Sequence, residues 1–60
     1  MNQPRRRVLI LDLDQDTLLT LQHVLEDAGV DTTVTWDETE ARQLLKSSRF
    51  DLVLLGLVFS

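Results

Sequence analysis

Two short, uninterrupted apolar runs lie near opposite ends of this chain, Val8-Leu9-Ile10-Leu11 and Leu52-Val53-Leu54-Leu55. Neither shows a helical period, and each has the length of a strand. A run without polar alternation suits a strand buried on both faces, as in a parallel sheet covered by helices. Parallel strands cannot be joined by a tight hairpin, so the residues between the runs must supply crossovers.

Those crossovers are legible. Asp12, Asp14 and Asp16 follow the first run, and Asp14 or Asp16 can cap a helix by accepting its orphan N–H groups. Leu18, Leu21, Leu25 and Ala28 then recur at spacings of three and four, with Leu19 and Val24 widening the stripe. Gly29 stands where a left-handed residue ends a helix. Val30 to Thr35 is largely β-branched but has only two strongly apolar residues, Val30 and Val34, which predicts an edge strand. Asp37 and Glu40 have the spacing of a capping box. Ala41, Leu44 and Leu45 form a short apolar stripe beyond it, and Glu38 and Arg42 make a favourable i,i+4 pair.

The expected architecture is therefore α/β, a parallel three-stranded β-α-β-α-β unit with two right-handed crossovers. The first and third strands are both written for a sheet interior, yet only one of three strands can be central. With the second strand beside the first, the strand Leu52 to Leu57 presents an apolar, uncovered edge. Residues 1–6 read as a tail and residues 7–60 as a partial domain.

A chain of sixty residues has little core to stabilise it, and small domains commonly add disulfides, a metal or a partner. There is no cysteine, and the single histidine, His23, reads as a surface residue of the first helix. Association with more protein is the remaining route. Arg5, Arg6 and Arg7 hold half of the six basic residues and read as a solubilising tail. From Val8 onward three basic residues face ten acidic ones, a charge of −7. Such a body repels nucleic acid and anionic membrane. No apolar run approaches the ~20 residues needed to span a bilayer, and a cytoplasmic location is expected. Trp36 reads as packing locally over the second helix, with a contact surface as the other reading.

The stretches Val8 to Asp16, Leu25 to Gly29, Asp37 to Leu45 and Phe50 to Leu57 resemble the first half of a receiver domain from two-component response regulators. The resemblance runs from Arg7 to Phe59. It implies half of a flavodoxin-like fold with strand order 2-1-3. It also implies two adjacent acids after the first strand that help hold Mg²⁺, and a phosphoaccepting aspartate ending the third strand. A hard divalent ion needs clustered carboxylates, and it neutralises charge on the transferring phosphoryl group.

At the matching positions the first acid is kept as Asp12, the second is Leu13, and the acceptor is Gly56, which has no side chain. Asp12 then reads as a relic, no cofactor is expected although Mg²⁺ belongs to the family, and catalysis is not expected. A slipped register would instead pair Asp12 with Asp14, since i and i+2 share a strand face. The expectation is a pseudo-receiver, a regulatory interaction module of a phosphorelay. It would dimerise or dock another protein through Leu52 to Leu57, with a histidine kinase or an effector domain as further partners. The alternatives are a phosphoaccepting receiver whose catalytic half is missing or supplied in trans, and a piece of another flavodoxin-like enzyme. No glycine-rich phosphate loop follows the first strand to support the latter.

Overall fold

The computed structural model describes residues 5–56. Residues 1–4 and 57–60, the latter including Leu57 at the end of the expected third strand, lie outside the described residues. The element order is β1 (Arg7–Asp12), α1 (Gln15–Asp27), β2 (Asp31–Thr35), α2 (Glu38–Ser47) and β3 (Leu52–Gly56). All strands are parallel, in the order β2-β1-β3, so the α/β fold matches half of a flavodoxin-like receiver.

β1 is the central strand because both its faces are apolar and can be covered. Val8 and Ile10 face α1, where they join Leu18 in a buried cluster bordered by Leu21, Leu25, Val30, Val34 and Leu54. The odd residues turn to the other face, where Leu9 and Leu11 lie with Ala41 and Leu45 of α2. Leu9 is completely buried. Each helix thus covers one face, as period-2 alternation along β1 requires.

Both helices start on aspartate. Asp14 is the N-cap of α1: its Oδ1 accepts from the Asp16 N–H at 3.1 Å and its Oδ2 from the Thr17 hydroxyl at 2.9 Å. α1 closes at Gly29, whose φ of 84° is the left-handed conformation glycine adopts without penalty. The Gly29 N–H donates to the Glu26 carbonyl and the Val30 N–H to the Leu25 carbonyl, completing a Schellman motif. Val30 therefore belongs to the helix cap, and β2 starts one residue later than expected. Gly29→Ala is expected to cost about 1 kcal/mol, because an L side chain is disfavoured at positive φ. An unchanged urea midpoint would contradict this.

Three expectations about the helices need correction. Leu19 and Val24 are 52% and 59% exposed, and Ala28 is an exposed cap residue, so the core-facing stripe of α1 narrows to buried Leu18 with Leu21 and Leu25 half-buried beside it. A half sheet is too narrow to cover the helix flank. At α2, Asp37 does cap, accepting from the Thr39 N–H at 3.0 Å, but Glu40 does not close the box. The Asp37 N–H donates instead to the Thr35 hydroxyl at 3.1 Å. Thr35 is buried at the end of β2 and reaches that N–H without the entropy cost of ordering a glutamate. Arg42 and Glu38 pair at 2.7 Å as expected, fully in solvent.

Neither helix packs over β3. Leu52 and Leu55 are 53% and 57% exposed, and among the described residues β3 pairs only with β1.

Candidate functional site

In a parallel α/β sheet, sites form at the carboxyl ends of the strands. Here that rim carries Asp12 and Gly56, which the parallel register places side by side as the last β1–β3 pair. Both positions belong to the α1 face, so their side-chain directions converge. Asp12 is buried, 6% exposed, and its Oδ1 accepts from the Asp14 N–H at 3.0 Å. That bond ties the end of β1 to the cap of α1.

The Asp12 carboxylate leans across Gly56. A Cβ added at residue 56 would fall on it, 2.5 Å from Asp12 Cγ and 3.1 Å from Asp12 Cβ. These separations are shorter than van der Waals contact, so the carboxylate occupies the space where any side chain at 56 would begin. Asp12, expected as a relic, is here a plug and a fastener. Sequence spacing alone does not reveal this, because the two residues meet across strands.

The other acids do not join Asp12. Asp14 lies beyond the end of β1 as a helix cap with both carboxylate oxygens engaged, so the Asp12–Asp14 pairing of a slipped register does not form. Asp16 sits in the first turn of α1, exposed. Leu13 is 71% exposed and carries no oxygen. Among the described residues no group of three histidine, cysteine or acidic side chains converges as a metal would need. The donor set that the family uses for Mg²⁺ does not fit here, since Leu13 and Gly56 offer no ligand and Asp12 already serves a backbone N–H.

The remaining singled-out residues lie elsewhere. His23 is exposed on α1. Trp36 is 58% exposed and packs toward α1, not α2: with Gln15, Leu18, Leu19 and Val34 it lines a shallow apolar hollow of about 240 Å³. Strand alternation accounts for it, because Thr35 turns to cap α2 and Trp36 follows Val34 to the other face. No helix among the described residues is long and apolar enough to cross a membrane.

Compared with known proteins, the chain is 40% identical over 58 residues to the DNA-binding response regulator MtrA of Mycobacterium tuberculosis and to that of Mycobacterium bovis. The match covers 97% of this chain and 25% of each relative, so the chain spans about a quarter of their length. No family model matches the chain. No solved structure matches it significantly. The similarity is thus to one segment of a response regulator.

Proposed function

We propose that this chain is a receiver-like regulatory module that acts by docking another protein rather than by accepting a phosphoryl group. The observation that carries this reading is the Asp12–Gly56 pair. The acceptor position has no side chain, and its space is filled by the one acid kept from the family's pair. Phosphoryl transfer needs a nucleophile and a positioned cation. Gly56 supplies no nucleophile, and Leu13 withdraws a cation ligand. On this reading the protein is not an enzyme, needs no cofactor and works in the cytoplasm. Its signalling partners would be a histidine kinase or an effector domain, and its docking element would be the β3 edge.

Incubation with a small-molecule phosphodonor and Mg²⁺ is expected to leave the intact mass unchanged. An added phosphate that is labile to hydroxylamine would overturn the reading. Millimolar Mg²⁺ is likewise expected to leave the melting temperature where Na⁺ at matched ionic strength leaves it. A true site at a hundredfold excess of ligand over Kd would add about 2.7 kcal/mol.

A further inference from the structure

The opposite end of the sheet carries a different feature. Arg5, Arg6 and Arg7 lead into β1, and Arg49 precedes β3, 42 residues after Arg7 in the chain. The β1–β3 pairing brings these two segments together. The Asp51 N–H donates to the Arg7 carbonyl at 2.8 Å, and the Arg7 N–H donates to Asp51 Oδ2 at 2.8 Å. Together Arg5, Arg6, Arg7, Arg49 and Asp51 line an open cleft of about 710 Å³.

Arg7 is thus part of the sheet rather than a solubilising tail. Its guanidinium lies over the Phe50 ring, 5.1 Å from the centroid, which fixes its direction without neutralising it. The two carboxylates nearby are already engaged. Asp51 serves a backbone N–H, and Asp31 lies 3.9 Å from Arg5 on the β2 side. Among the described residues Arg6 and Arg49 have no carboxylate within ion-pair distance. Within the cleft, four arginines face a single aspartate in a protein that is otherwise strongly acidic.

We propose that this cleft binds a compact anion bearing several phosphate groups. Guanidinium forks match phosphate oxygens in pairs, and arginine keeps its charge at any physiological pH. A compact polyanion suits the site better than a nucleic-acid duplex, because the surrounding body carries −7 from Val8 onward and would repel a long charged rod. The phosphates could belong to a nucleotide tail or to a phosphorylated lipid headgroup.

The test is calorimetric titration of the full chain with inorganic triphosphate at low salt. The double variant Arg6→Gln/Arg49→Gln and the control Arg42→Gln are titrated alongside, with circular dichroism to verify the fold. Saturable binding by the wild type and the control is expected, weakened about tenfold or more in the double variant and progressively by added KCl. ATP and vesicles carrying a phosphoinositide then distinguish the two sources. Equal affinity in all three proteins, or no saturation, would overturn the proposal. So would a DNA duplex binding more tightly per phosphate than triphosphate.

Discussion

Leu54→Lys is expected to dissociate and unfold this protein in a single step. Leu54 lies in β3 beside Ile10 and packs against the α1-face core, so a charge there strikes both the core and the strand edge. Leu54 is half-buried, so its truncation falls near the low end of the roughly 2–5 kcal/mol that a buried leucine costs, and an ammonium held against the apolar cluster adds to that. A domain of this length holds roughly 3–9 kcal/mol in all, at roughly 0.05–0.15 kcal/mol per residue. One substitution therefore removes most of the stability. The proposed docking edge gives the second half of the effect. An uncovered strand offers a row of unpaired N–H and C=O groups, and two copies joined at β3 would hide both edges behind a twofold axis. Leu55→Lys separates the two contributions, because Leu55 is 57% exposed and little of its side chain lies in the core. It should lower the association constant while sparing the monomer's packing. His23→Ala, on the exposed side of α1, should change stability by no more than about 0.5 kcal/mol. Light scattering and urea unfolding over a concentration series provide the measurement. A monodisperse wild-type monomer with a cooperative, concentration-independent melt at micromolar concentration would refute edge pairing.

The second large effect is expected at Gly56. Restoring a side chain there, as Gly56→Ala or Gly56→Asp, forces the Asp12 carboxylate to swing away. The swing breaks the bond from the Asp14 N–H and leaves that cap donor unpaired. An unsatisfied donor costs about 1–3 kcal/mol, and overpacking adds a similar amount. Gly56→Asp alone should thus be destabilised and still not accept a phosphoryl group, since Leu13 leaves the cation site short of a ligand. Asp12→Ala should cost less in the Gly56→Ala background than in the wild type, because the steric conflict is then gone. A double-mutant cycle with a coupling of 1 kcal/mol or more, typical of residues in direct contact, would be its signature. Additive effects would show that Asp12 does not occupy the space of residue 56.

The sequence by itself determines the elements of this protein. Val8 to Leu11 and Leu52 to Leu55 are strands, Asp14 and Asp37 open helices, and Gly29 closes one, because each signal acts within about one turn of chain. The order 2-1-3 is less local: the runs of β1 and β3 are both apolar on both faces, and only the resemblance to a receiver implies that β1 is the central strand. Tertiary structure decides the rest. Leu19 and Val24 carry the periodicity of a buried stripe, but a three-stranded sheet is too narrow to reach them. The N–H that Glu40 was expected to satisfy goes to Thr35, which the end of β2 delivers to the same spot. Asp12 and Gly56 are 44 residues apart, as are Arg7 and Asp51, and only the parallel register sets each pair side by side. Composition can place an acid and a glycine in one chain. It takes the pairing of two strands to put the acid where the glycine's side chain would have been.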